Sequence, residues 1–165
     1  MSTETIVEES SGALPLRMSL ADLPSLVGRQ IGTSSGLVVD QARISAFAEA
    51  TEDRQWIHTD PERAKTGPFG TTIAHGYLTL SLSTAMLWDV LDVPDAAQVV
   101  NYGLDKVRFP APVPAGAELK MTLEILDVDP VPGGYQVRYR GTATVPNQSK
   151  PVCVTEGLFR YLGDL

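Results

Sequence analysis

The chain has 165 residues, 43% of them hydrophobic and 20% charged, and a formal net charge of −7. That length suits one domain with a working core, and the acidic balance argues against general affinity for nucleic acid or an anionic membrane, since both need a basic patch. Cys153 is the only cysteine, so no disulfide can close within the chain, no zinc-type Cys/His spacing exists, no metal site is expected, and the cytoplasm is the expected compartment.

Residues 1–15 are small, polar and acidic, which predicts a disordered tail ahead of a single domain over residues 16–165. The tail has neither a basic start nor an apolar run, so it does not read as a signal peptide. No window approaches the ~20 apolar residues of a membrane span. Leu20, Leu23, Leu26 and Val27 suggest a short helix interrupted by Pro24 and ended by Gly28. Leu37-Val38-Val39 reads as a short strand. Asp40 is a good N-cap for a helix of about three turns carrying Ile44, Phe47, Ala48 and Thr51 on one face. A second start signal, Asp60-Pro61-Glu62, predicts a short helix, and Asp53 and His58 fall in the irregular segment between the two.

Gly67-Pro68-Phe69-Gly70 is a loop. From Gly76 the residues Leu78, Leu80, Leu82, Met86, Leu87, Val90 and Leu91 make a helix apolar nearly all round, with no charge before Asp89. Such a helix is expected to be wrapped by other structure on most sides. The remaining chain supplies the wrapping: Asn101 to Phe109 reads as a strand. Glu118 to Ile125 alternates strictly, as does Tyr135 to Val145 after the turn at Pro132-Gly133-Gly134, and Val152 to Tyr161 follows a second turn. The expected fold is α+β, with a curved antiparallel sheet around one long central helix.

The residues Asp53-Arg54-Gln55-Trp56-Ile57-His58, followed by Ala74-His75-Gly76 at the start of that helix and by Val107 to Val113, resemble the MaoC-like dehydratases. This is the hotdog-fold family of (R)-specific enoyl-CoA hydratases. Its motif is Asp-x-Asn-Pro-aliphatic-His followed by Ala-His-Gly. Asp53, Ile57 and His58 match; Gln55 and Trp56 replace the Asn and Pro. Glu52 stands where the family usually has Gly, and if that position takes φ > 0 a Glu side chain strains the turn carrying Asp53.

The resemblance implies reversible addition of water to a trans-2-enoyl thioester. Asp53 and His58 would bind the water, Asp53 taking its proton and His58 orienting it or helping to deliver a proton to carbon. The Gly76 N–H at the helix start would receive the carbonyl oxygen. Gln55, Trp56, Ile57, Phe69, His75, Tyr77 and Arg108 are the residues the resemblance sets around the substrate. For His75 the residues favour a buried, hydrogen-bonded structural role, and Trp56 reads equally as pocket floor or core. Cys153 reads as core packing. The family further implies no cofactor, a CoA or acyl-carrier-protein thioester as the partner, and a homodimer joined sheet edge to sheet edge. Two other functions fit the same residues: a dehydratase for a carrier-bound polyketide or other secondary metabolite, and a non-catalytic hotdog subunit that binds acyl thioesters. A hotdog thioesterase is disfavoured, because the central helix has no acidic residue before Asp89.

Overall fold

The structure, a computed structural model, describes residues 14–164. The expected acidic tail lies outside the described residues except for Leu14 and Pro15. Four long strands follow the central helix: β5 (Gln98–Arg108), β6 (Ala117–Val131), β7 (Gly134–Thr144) and β8 (Cys153–Leu162). They pair antiparallel in the order β6-β7-β8-β5. Two short strands, β2 (Gln30–Thr33) and β3 (Leu37–Val39), extend the sheet on the far side of β6. A two-residue strand β1 (Leu16–Arg17) pairs in parallel with β4 (Leu91–Asp92) just beyond the central helix.

Period-two alternation sets the inner face of the sheet. Leu119, Met121, Leu123 and Ile125 of β6, Val137, Tyr139 and Ala143 of β7, and Phe159 and Tyr161 of β8 are all buried. Their alternate neighbours carry the outer face, where Arg140 reaches Glu124 on β6 and Glu156 on β8 at 3.0 and 2.9 Å. The inner face closes on α4 (Gly76–Trp88) through Leu78, Met86 and Leu87. Full burial of one such side chain is worth about 1.5–3 kcal/mol, so this layer is the main source of cohesion. The segment Leu20–Leu26 is a 3₁₀ helix whose Leu23 and Leu26 seal one end of the core. Pro24 favours the tighter winding, because it cannot donate to an α-type ladder.

One expectation holds with a limit and another needs correction. The central helix is wrapped on most sides, but one stripe of it is bare: Tyr77 and Trp88 are 72% and 43% exposed, and Ser81 and Ala85 between them are exposed as well. The reason is the sheet order, because β5 is an edge strand and, among the described residues, no strand pairs beyond it. Val100, Tyr102, Leu104 and, just past the strand end, Phe109 add exposed apolar surface along that edge. The correction concerns the segment after the first α-helix, α1 (Gln41–Thr51). His58 lies not in irregular chain but in a one-turn helix, α2 (Trp56–Thr59), closed by the His58 and Thr59 N–H groups on the Gln55 carbonyl at 2.9 and 3.3 Å. The Asp60-Pro61 signal opens another single turn, α3 (Pro61–Ala64), capped by the Asp60 carboxylate on the Arg63 N–H at 3.0 Å.

Candidate active site

The site begins where α1 stops. Asp40 caps the helix by accepting from the Arg43 N–H at 2.8 Å, and Ile44 and Ala48 bury its inner face. After Thr51 the chain reverses at Glu52, whose φ of 62° and ψ of 10° are left-handed. A side chain there costs roughly 1–2 kcal/mol relative to the right-handed region, so the turn expected to be strained is strained. Arg54 braces it from outside by a two-pronged contact with Glu49, 2.9 Å on each prong. Asp53 emerges from this turn with its side chain exposed.

His58 is buried and held from three directions. Its Nδ1 lies 2.7 Å from the Ile73 carbonyl; a carbonyl only accepts, so Nδ1 carries the hydrogen and Nε2 keeps its lone pair. The Ile73 N–H donates in turn to the Ile57 carbonyl at 3.0 Å. From α1, the Gln41 carboxamide donates to the His58 carbonyl at 2.8 Å and accepts from the Thr72 hydroxyl. Burial pushes the His58 pKa below its ordinary value; the Ile73 hydrogen bond and the Asp53 carboxylate oppose that shift and His75 adds to it. The ring is therefore neutral at pH 7, with Nε2 available as an acceptor.

His75, immediately ahead of α4, is buried. Its Nε2 lies 2.9 Å from the Asp53 carbonyl, and its ring stacks on that of His58 with centroids 3.7 Å apart and planes 24° from parallel. Gly76 then opens the helix. The first hydrogen bond of α4 runs from the Thr79 N–H to the His75 carbonyl at 3.1 Å, so the N–H groups of Gly76, Tyr77 and Leu78 lack helical partners, as in any first turn. Their partial positive charge suits an oxygen that gains negative charge. Beside them lies a cavity of about 340 Å³ lined by His58, Phe69, Ile73, Ala74, Gly76, Thr79, the stretch Phe109 to Val113, and Val152. The Phe109 ring packs so closely on Gly76 that an added Cβ would meet it at 3.0 Å.

Of the residues expected at the site, His58, Gly76 and Phe69 line this cavity. Asp53 stands beside its wall: one carboxylate oxygen and one ring nitrogen each of His58 and His75 fall within 4.8 Å of one another. His75 and Ile57 act from behind, through the bonds to Asp53 and Ile73. Trp56 faces away, with the Arg63 guanidinium 4.3 Å over its ring and Gly67 against its edge. Gln55 is exposed ahead of α2. Tyr77 points outward, edge-on to Phe109 at 6.4 Å. Arg108 ends the edge strand and folds back onto the Val107 carbonyl at 2.7 Å. Thr79, Phe109 and Val152 line the cavity without having been singled out from the sequence. Only Phe109 had a signal, its place in the Val107 to Val113 stretch.

The Asp53, His58 and His75 cluster has metal-ligand chemistry but not metal-ligand geometry. An imidazole binds an ion along a lone pair in its ring plane, at about 2.0–2.1 Å for zinc. Two rings stacked face to face direct those lone pairs alongside each other, not toward one point. Cys153 is buried away from solvent, and burial pushes its thiol up to about 11, which suits packing and not nucleophilic chemistry.

A family model for the MaoC like domain matches residues 22–145. The chain belongs to this MaoC-like family. It is 43% identical over 145 residues to 3-hydroxyacyl-thioester dehydratase Z of Mycobacterium tuberculosis, covering 87% of this chain and 96% of that protein. Nodulation protein N of Rhizobium leguminosarum bv. viciae is 41% identical over 137 residues, or 81% of this chain and 85% of that protein. Among solved structures, the unliganded R-hydratase PhaJ1 from Pseudomonas aeruginosa superposes with a TM-score of 0.67 at 28% identity, over 84% of this chain and 83% of the other. The fold is the α+β arrangement that the alternation and the central helix led one to expect, and the hotdog fold that the resemblance implied.

Proposed function

We propose that this protein is an (R)-specific hydratase that adds water reversibly to trans-2-enoyl thioesters and, in reverse, dehydrates 3-hydroxyacyl thioesters. The observation that carries the reading is the convergence of a neutral His58 and the Gly76 N–H, which has no partner within the helix, at one cavity with Asp53 beside its wall. The names of the M. tuberculosis dehydratase and the Pseudomonas R-hydratase support it.

A water between the Asp53 carboxylate and the bare Nε2 of His58 meets two acceptors, one for each of its hydrogens. Its oxygen adds to the β-carbon, Asp53 takes the proton released, and the electron pair of the double bond moves toward the thioester oxygen. The Gly76 N–H and the helix start stabilise that oxygen, a contribution of about 3 kcal/mol for one well-placed donor. Asp53 then returns the proton to the α-carbon, so the net change is one water added. Every group this requires is supplied by the chain, the water and the thioester, and no cofactor enters. His58 orients the water, a role set by its tautomer and by its neutrality.

CoA and a carrier protein present the same reactive atoms, so the acyl group can ride either carrier. None of the described residues that line the cavity carries a full charge at neutral pH, which suits an apolar acyl chain within it. We place the protein in the cytoplasm, where such thioesters are made and consumed; no helix among the described residues is long and apolar enough to cross a membrane. We further propose a homodimer in which the β5 edges join and the exposed apolar side chains along that edge and on the bare helix stripe, Val100, Tyr102, Leu104, Tyr77 and Trp88, are covered. An unpaired edge strand of 11 residues that exposes Val100, Tyr102 and Leu104 is otherwise a liability.

The deciding experiment offers enoyl thioesters of increasing length, on CoA and on a carrier protein, and follows loss of enoyl absorbance with chiral analysis of the product. (R)-3-hydroxyacyl product supports the proposal. Acyl-thioester binding without turnover on either carrier would replace it with a non-catalytic binding subunit.

A further inference from the structure

We propose that His75 is a positioning residue of the hydration reaction, one that holds the general base in place through the backbone and holds the water-orienting imidazole by stacking. The inference rests on the hydratase reading above. It starts from a geometric problem. Asp53 is exposed, and it follows a residue in the strained left-handed region. Among the described residues, no hydrogen bond to another side chain orients its carboxylate. What fixes the residue is its own carbonyl, which accepts from His75 Nε2 at 2.9 Å. The rings of His58 and His75 are parallel to within 24° at 3.7 Å, and Phe47 closes the other side of His75 at 5.1 Å. One side chain thus touches both members of the acid/base pair. It also directly precedes Gly76, the proposed oxyanion donor.

The tautomer follows from the partners. Nε2 of His75 must carry the hydrogen, since it faces a carbonyl. Nδ1 is buried and has no hydrogen-bond partner among the described residues, so it carries only a lone pair; an N–H there would be a buried donor without an acceptor, a costly arrangement. The two stacked rings accordingly hold opposite tautomers, Nδ1–H in His58 and Nε2–H in His75. Each directs its one hydrogen at a backbone carbonyl, Ile73 and Asp53 respectively. The titratable groups facing the pair among the described residues are the Asp53 carboxylate and each other's rings. Losing the His75 donor frees the Asp53 turn, and a misplacement of about 1 Å in a catalytic group can cost on the order of 100-fold in rate.

The test uses two variants and a spectroscopic measurement on the unmodified protein. His75→Phe keeps a stacked ring but removes the donor. His75→Gln restores an N–H at nearly the Nε2 position. With trans-2-octenoyl-CoA as substrate, the Phe variant is expected to lose on the order of 100-fold in kcat with KM changed little. The Gln variant is expected to recover about tenfold of that loss. Because the chain contains two histidines, nitrogen-15 imidazole spectra resolve both rings without substrate; the expected result at pH 7 is Nδ1–H for one and Nε2–H for the other. Unchanged kcat in His75→Phe would overturn the proposal, as would a His75→Gln variant as impaired as the Phe variant or a His75 ring in the Nδ1–H form. Should the Phe variant fail to fold, the Gln variant and the tautomers still decide. Absence of turnover by the unmodified protein on every thioester, with the expected tautomers present, would overturn the hydratase reading instead and leave the structural contacts standing.

Discussion

The imidazoles of His58 and His75 lie face to face at 3.7 Å, yet each turns a different nitrogen to the backbone. That division separates the two histidines of the chain. His58 keeps a lone pair toward the cavity mouth, while His75 spends its hydrogen on the turn that carries Asp53. The stack brings residues 17 positions apart in sequence into one rigid unit.

Removing either member of the acid/base pair should abolish most turnover without unfolding the protein. Asp53 is exposed, and Asp53→Asn retains its size, so Tm should hardly move. A placed acid or base contributes about 10²–10⁴-fold, and losses of that order in kcat are expected for both Asp53→Asn and His58→Gln. Steady-state assays with an enoyl-CoA, alongside thermal melts, make the comparison.

The pH profile should follow His58. Its pKa is lowered from about 6.5, chiefly by burial, so the acid limb of kcat/KM set by this ring should lie below pH 6.5. Stability has the matching sign. The unfolded chain binds this proton more readily than the folded one, so the contribution is complete above the unfolded value and is lost as pH falls through the lowered folded value. Urea midpoints measured between pH 5 and 8 should rise with pH, and His58→Gln should flatten that part of the rise.

Gly76→Ala separates catalysis from helix formation. Alanine is the better helix former, and the obstructing Phe109 ring is 42% exposed and can swing aside, so the fold should survive. The displaced ring and the new methyl group would crowd the approach to the Gly76 N–H. A loss of about 10²–10³-fold in kcat is expected, the scale of losing one oxyanion donor. A crystal structure of the variant and its kinetics would check both halves.

Glu52→Gly should stabilise the protein by up to about 1 kcal/mol. Glycine takes the left-handed conformation without the Cβ penalty, although it adds freedom to the unfolded chain. Activity should be retained, because the turn keeps its shape. Chemical denaturation of the two proteins side by side measures the difference.

Leu104→Asp tests the edge-to-edge dimer. Leu104 is 50% exposed on β5, so a charge there should leave the core intact while opposing any interface. Sedimentation of the unmodified protein as a dimer and of the variant as a monomer is the expected result.

The sequence alone determined the elements whose pattern is local. Strict alternation in β6 and β7 marked their inner faces, Asp40 and Asp60 marked two helix starts, and the apolar run from Gly76 marked the central helix. Asp53, His58 and Gly76 were also legible, because their residue types and spacing match a family motif. What the tertiary structure decided was everything that depends on which surfaces meet. It left one face of the central helix bare, because the strand order puts β5 at an edge, and strand order is not encoded in alternation. It turned Trp56 toward Arg63 and brought Phe109, Thr79 and Val152 to the cavity. It also settled the tautomers of the two histidines, since a ring nitrogen takes its hydrogen according to the carbonyl it faces, and Ile73 and Asp53 reach those rings only through the fold.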